Sequence, residues 1–551
     1  MVGEKKNEAL EAEGEYRTAV EEAYDYVENF DILETITNVG NDEVFTPRKT
    51  VDMMLDSLPE EVWYNPDYKW LNPATKNGIF EREIAIRLDK GLEEVIPNVE
   101  QRRKHILQNM IYSIGQTKFT ANVARRTLYY CSQANRKCDG IKANDGHYIN
   151  GYAIGNGTWF KDEEGNIKTP NTMHTFEGKK CKYCGISKDS MYVDSTQREQ
   201  YAYEFIHVHP LNLQRYLQDR FFGGNRKMKF DIIIGNPPYQ LKTTSNSSKS
   251  VPIYHKFVEQ ALCLNPKYLC MIIPSRWFAG GMGLDDFRLN MLQNKKISKL
   301  VDWTNAKDCF PTLSIGGGVC YFLYDQTFSG VPTIVNIHNG IEKTLKRSLS
   351  EFGDVFVRYN EATEILRKIK SFKEKTFEDY VSSLSPFGID SKERGHKEQK
   401  ANDLILFSSE GSSYIEKQKI TTGFDYVDKY KIMISKVTAE HAGEPDKNGQ
   451  FKVLSTTKLI KPNEVCTFSY FLAGISSNEE ETKNILSYMK TRFFRFLLLL
   501  SVSSINLSKD KFKFIPVQDF STNWNDKKLY DKYGLSDEEI SYIENMIKEM
   551  I

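Results

Sequence analysis

The stretch with most chemical promise is Asp231-Ile-Ile-Ile-Gly-Asn-Pro-Pro-Tyr-Gln240. A strand-like apolar run from Phe230 to Ile234 breaks at Gly235, and Asn236-Pro237-Pro238-Tyr239 follows where the strand must end. Catalytic groups of open α/β sheets collect at the carboxyl ends of strands. The residue types suit methylation of an exocyclic amine on a base or amide. Such a nitrogen is a poor nucleophile because its lone pair is delocalised, so it needs acceptors that pull it towards tetrahedral geometry. Asn236 offers a side-chain carbonyl, and the Asn-Pro peptide unit a main-chain one. Pro237 and Pro238 fix φ and carry no N–H, so no competing donor enters. Tyr239 supplies a flat face on which an extruded base can stack. The bland alternative, a proline-rich turn closing a buried strand, is weakened by the flanking Asp-Ile-Ile-Ile-Gly.

A second constellation is Trp70-Leu-Asn-Pro-Ala-Thr-Lys-Asn-Gly-Ile-Phe80, which reads as strand end, tight loop and helix start. Gly78 lets the backbone approach a ligand, and the first turn of a helix has free N–H groups to offer. An α/β turn without a ligand is the plain alternative. A third is Cys181-Lys-Tyr-Cys184-Gly185, a zinc-knuckle half-site in which two thiolates two residues apart can share one tetrahedral ion. Cys131, Cys138, His147 and His174 are all available for the other half. Free thiols are the alternative there, and Cys263, Cys270, Cys309, Cys320 and Cys466 read as core residues.

The Asn236–Tyr239 tetrapeptide resembles the catalytic motif of amino-methyltransferases that use S-adenosylmethionine. The segment order is similar to the gamma arrangement of adenine-specific DNA methyltransferases of bacterial restriction-modification systems, where the cofactor half precedes the catalytic half and a target-recognition domain comes last. The resemblance runs from about residue 43 onward and is strongest over 43–84, 230–325 and 485–551. It implies that Asn72, Pro73, Ala74, Gly78 and Phe80 hold the cofactor together with Asn236, and that Phe45-Thr46-Pro47 packs around its methionine end. The loop departs from the family pattern at Asn72, where Asp is commonest, and at Lys76, where Gly is common. The second acidic position is occupied by Gly115 or Gln116. The resemblance also implies Cys131 and His174 as partners of Cys181 and Cys184 in a structural zinc site. It suggests Pro274-Ser-Arg276-Trp277 as a lining of the base pocket, with Arg276 on phosphate and Phe310 as a stacking candidate.

These motifs need elements to carry them, and 551 residues are too many for one core. Val51–Leu58, Glu81–Leu92, Lys118–Tyr130 and Tyr201–Phe222 read as helices; Met110–Ile114, Tyr268–Ile273, Ile297–Trp303 and Gly316–Leu323 read as strands. That alternation predicts an α/β fold, a Rossmann-like methyltransferase domain over 43–375 with an inserted zinc-binding subdomain at 131–195. Residues 1–42 read as an acidic helical segment. Residues 376–551 read as an α+β target-recognition domain with strands at 431–436, 451–456 and 465–473, helices at 482–500 and 537–550, and a lysine-bearing strand edge at 509–513.

Net charge is zero, yet residues 1–45 hold 13 Asp/Glu against 3 Lys/Arg, so the remainder carries +10. A local basic face matters more for nucleic acid than the sum, and double-stranded DNA is the partner this permits. The most apolar run, Phe493 to Val502, is interrupted by Arg495 and is about half a bilayer span, so no membrane partner and a cytoplasmic location are expected. Nine cysteines in this length make no disulfide framework. With no nuclease constellation in sight, a cleaving partner would be a separate restriction endonuclease. The function expected is transfer of a methyl group to adenine N6 in double-stranded DNA by base flipping. Two rivals remain: a catalytically weak or inactive DNA-binding specificity subunit, motivated by Asn72, Lys76 and Gly115, and an Asn-Pro-Pro-Tyr enzyme acting on RNA or protein glutamine.

Overall fold

The computed structural model describes residues 33, 44–129, 160–188, 201–242, 250–311, 315–440, 445–502 and 506–550. The acidic segment (apart from Leu33), Cys131, Cys138, His147 and most of the polar tract after Tyr239 lie outside them. The chain divides into two compact units: Met1–Phe230 with Ile234–Ser248, and Asp231–Ile233 with Lys249–Ile551. The division falls within the strand Ile232–Gly235.

In the first unit, strands Trp70–Thr75, Ile111–Gly115 and Ile167–Lys168 lie side by side and parallel. Helices Ile79–Gly91 and Lys118–Tyr129 alternate with them, as the apolar spacing predicts. Arg48–Leu55 starts three residues earlier than expected, directly after Pro47. The pairing of Trp70–Thr75 with Ile111–Gly115 is irregular between Asn72 and Thr75. Pro73 lies in that interval and has no N–H for the ladder. The interval read as an insertion is not wholly separate: Ile167–Lys168 extends the sheet. Asn166 anchors it by donating to the carbonyls of Leu107, Gln108 and Ile111. The single helix expected at 201–222 is broken into a 3₁₀ turn, a short helix Glu204–His207 and the helix Pro210–Phe222. Pro210 sits at the start of the last, where a missing N–H costs nothing.

In the second unit five strands lie in the order 341–346, 333–338, 297–303, 319–325, 268–274. This part of the sheet is mixed. Val319–Asp325 runs antiparallel to both neighbours, while Ile297–Trp303 and Thr333–His338 are parallel. Residues 304–318 supply no crossover helix among the described residues, so the chain returns in the opposite direction. Further on, two three-stranded sheets are built around Leu404–Ser408 and Tyr430–Ser435. The expected strand at 451–456 does not form, and 465–473 divides into Glu464–Cys466 and Tyr470–Ser476. The helix at 482–500 divides at Thr491, whose hydroxyl caps Arg492–Leu499 by accepting from Phe494 N. Phe493, Phe494 and Phe496 are fully buried in one core with helices Glu479–Lys490 and Asp537–Met546. No helix among the described residues is long and apolar enough to cross a membrane.

Candidate active site

All residues of the expected cofactor loop and of the Asn-Pro-Pro-Tyr motif belong to the first unit. Thr46, Asn72, Ala74, Thr75, Lys76, Asn77, Gly78, Ile79, Phe80, Glu81 and Asn236 line one narrow, solvent-open cleft. Phe45 and Pro73 are buried, and Pro47 is half-buried at the start of its helix.

Asn236 is only 2% exposed. Its amide Nδ2 donates to the Val44 carbonyl (3.2 Å) and to Thr46 Oγ1 (3.0 Å). Those bonds fix the orientation of the side chain and leave Oδ1 buried with no hydrogen-bond partner. An acceptor left dry in this way costs on the order of 1–3 kcal/mol unless a guest satisfies it. Lys76 Nζ also reaches the Val44 carbonyl (2.9 Å), so the lysine that stands where small residues are common ties the loop to the Phe45-Thr46-Pro47 segment. Pro237 and Pro238 are buried, and so is Tyr239, whose 8% exposure leaves no open stacking face in this state.

Glu81 is the residue that motif reading missed. It stands in the first turn of Ile79–Gly91 and is 1% exposed. Its Oε1 accepts from Asn72 Nδ2 (2.9 Å) and from Ser113 Oγ (2.6 Å), two residues that face each other across the parallel strands. Its Oε2 is buried without a partner. Burial pushes its carboxyl above the usual carboxylate range, against the pull of Ser113, its own backbone, Thr75 and Asn72. The loop that lacks an acid at position 72 therefore has one nine residues on, in contact with that same position. Asn77 Nδ2 is also buried without a partner in this cleft. Two acceptor oxygens and an amide donor around one cleft fit a polar, zwitterionic guest such as S-adenosylmethionine.

Gly78 and Gly235 are needed for close approach. At Gly78 φ is +79°, and a Cβ would lie 2.8 Å from Ala124 Cα. At Gly235 a Cβ would lie 2.4 Å from Asn72 Oδ1, so any side chain there would displace the Asn72 amide.

Of the expected zinc ligands, His174, Cys181 and Cys184 come together, and Cys131 lies outside the described residues. His207 completes the group, which sequence reading passed over as part of a helix. In the second unit Arg276 is half-buried on a 3₁₀ turn beside Ser275, which donates to Asp302 (2.6 Å). Phe310 is 2% exposed and serves as core, so it offers no stacking surface here. Residues 509–512 form a 3₁₀ turn instead of a strand edge; Lys511 pairs with Asp510 and Lys513 with Asp354 at 2.8 Å. Cys270, Cys309, Cys320 and Cys466 are buried as expected, whereas Cys263 is exposed.

Comparison with known proteins gives the class. The family model described as Eco57I restriction-modification methylase matches residues 109–310. An "Uncharacterized adenine-specific methylase" of Mycoplasma pneumoniae is 40% identical over 404 residues, covering 71% of this chain and 92% of that protein. The chain belongs to this family of adenine-specific methylases. Among solved structures, the type IIL restriction-modification enzyme MmeI in complex with DNA matches at 10% identity and TM-score 0.42, over 91% of this chain and 70% of that one. A nuclease-deletion mutant of the type ISP enzyme LlaGI matches at 10% identity and TM-score 0.45, over 86% and 46%. The chain spans 33% of the type ISP enzyme LlaBIII and 53% of a type I restriction-modification assembly.

Proposed function

We propose that this protein methylates the N6 amino group of adenine in double-stranded DNA, with S-adenosylmethionine as methyl donor, as the modification activity of a restriction-modification system. The observation that carries this is Asn236: its amide is committed to Val44 and Thr46, and its carbonyl oxygen is left buried and unpartnered in the cleft.

S-adenosylmethionine would be held by Thr46, Asn72 to Phe80 and Glu81, and it supplies an electrophilic methyl group on a sulfonium centre. Glu81 Oε2 would take the α-ammonium, restoring the charge that Asn72 lacks. The backbone at Gly78, just before a 13-residue helix whose Ile79 N–H is already taken by Asn77 Oδ1, would offer an N–H to the carboxylate. Asn236 Oδ1 accepts one hydrogen of the adenine amino group, and the Asn236 main-chain carbonyl accepts the other. The nitrogen lone pair is thereby released from the ring and turned outward. Pro237 hardens this arrangement because it cannot donate to either acceptor. Positioning and a desolvated acceptor pair do the work, with no strong general base required. The adenine must leave its helix to reach such a buried oxygen, which makes base flipping part of the proposal. Tyr239, buried in this state, would need to yield for a base to stack on it. A structural zinc at the Cys181–Cys184 turn belongs to the same proposal, and so does a restriction endonuclease carried on another polypeptide.

Modification-sensitive sequencing of DNA from cells that express the protein, and lack any other source of the mark, tests this directly. The expected result is N6-methyladenine in one short sequence context, absent with Asn236→Ala. Methylation of RNA or glutamine with clean DNA would overturn it. So would unmodified DNA combined with no S-adenosylmethionine binding in titration calorimetry, which would leave a DNA-binding subunit.

A further inference from the structure

His174, Cys181, Cys184 and His207 each bring a ligand atom within 4.8 Å of the others. Both thiols and His207 are buried, and His174 is half-buried. His174 Nδ1 lies 3.6 Å from Cys184 Sγ, and the two imidazoles meet edge to face at 4.7 Å. The turn that carries the thiols is already shaped. Cys181 closes the hairpin of Phe176–Glu177 and Lys180–Cys181, and its N–H donates to the Ile186 carbonyl. Gly185 N donates back to the Cys181 carbonyl with φ at +80°.

His207 is prepared in a second way. Its Nδ1 bonds the Tyr203 carbonyl. A carbonyl can only accept, so Nδ1 carries the proton and Nε2 keeps the lone pair that a metal needs. Fixing the tautomer through the other ring nitrogen is what metal-binding histidines commonly require.

We infer that His207 is the fourth ligand of a closed tetrahedral zinc site with His174, Cys181 and Cys184. This rests on the zinc reading above and removes the need for Cys131. Zn–S and Zn–N bonds of roughly 2.3 and 2.0 Å put neighbouring ligands roughly 3.3–3.8 Å apart, so a contraction of about 1 Å closes the site. Four protein ligands leave no position for water, so the ion is structural. Its consequence is positional. His207 ends the helix Glu204–His207, and the next helix, Pro210–Phe222, leads to the catalytic strand Ile232–Gly235. The ion thus staples the 160–188 segment to the chain that delivers Asn236.

The test is metal content per chain of the full-length protein purified without chelators, by inductively coupled plasma mass spectrometry, with circular dichroism as a folding check. Wild type and Cys131→Ser should carry one zinc; Cys181→Ser and His207→Ala should lose it. If His207→Ala fails to fold, His207→Cys decides. It should keep one metal, and its cobalt-loaded form should gain roughly 1.5-fold in thiolate-to-cobalt charge transfer as three thiolates replace two. Zinc retained in folded His207→Ala, or an unchanged cobalt spectrum in His207→Cys, overturns the assignment of His207. A wild-type protein that binds neither zinc nor cobalt, or that isolates with a Cys181–Cys184 disulfide, overturns the zinc reading itself. Methylation is not a readout here, so the proposed activity stands or falls separately.

Discussion

Asn236 and Glu81 are both buried polar side chains with one oxygen committed to nothing, and each lowers the stability of the unliganded state. Replacing Asn236 by Ala should reduce methylation of cognate DNA by roughly 10²–10³ or more, as for the loss of one preorganised hydrogen-bonding group. Binding of S-adenosylmethionine should fall much less, and a radiolabelled methyl-transfer assay beside calorimetry would separate the two. Glu81→Gln should act in the opposite order: affinity for S-adenosylmethionine drops roughly tenfold or more, the scale of a charge-assisted hydrogen bond. Its effect on stability has a definite sign. Burial raises the Glu81 pKa above 4.5, so as pH rises from there the unfolded chain loses a proton that the native chain retains. Native stability therefore falls with pH across that window. The glutamine variant is exempt, because an amide does not titrate. The ligand-free variant should melt higher than wild type, with a gap that widens from acid towards neutral pH. A ligand affinity unchanged by Glu81→Gln would remove this residue from the cofactor site.

At the scale of elements, the loop between Trp70–Thr75 and Ile79–Gly91 was legible because its chemistry is local. Proline in a strand end, a glycine and a helix start leave few conformations, and Gly78 takes the left-handed one. Gly78→Ala should cost about 2–4 kcal/mol, from the positive φ and from the collision with Ala124. A urea titration would show the midpoint falling; a midpoint that stays put means helix Lys118–Tyr129 can move away. Glu81 and His207 were not legible, for one reason: each acts through residues distant in sequence. Glu81 meets Ser113 across the sheet, and His207 meets a turn more than 20 residues earlier. Helix breaks were missed where a cap outweighs apolar periodicity. Thr491 stops one helix and starts the next inside a run that stays apolar, and Pro210 does the same before Leu211. The strand edge expected at 509–513 failed because alternation of Lys and Phe also fits a tight turn whose lysines pair with Asp510 and Asp354.

For the whole molecule, the alternation of helix-like and strand-like segments announced an α/β protein, but direction within a sheet is a property of connections. The antiparallel Val319–Asp325 goes with a link that has no crossover helix among the described residues, which no periodicity reports. Charge is the other property that only the entire chain has. Residues 1–30 hold nine Asp/Glu and three Lys/Arg, while the chain as a whole is neutral. An acidic segment attached to a basic remainder competes with phosphate for the same cations, and repels DNA at long range. A variant lacking residues 1–30 should bind nonspecific duplex several-fold more tightly at about 50 mM salt. Its advantage should shrink towards nothing by about 0.3 M, where screening confines charges to within several ångströms. Fluorescence anisotropy across a salt series would give both affinities and slopes. Equal affinities at every salt concentration would mean that this segment's charge is answered within the protein, and that the basic surplus elsewhere never faces the nucleic acid.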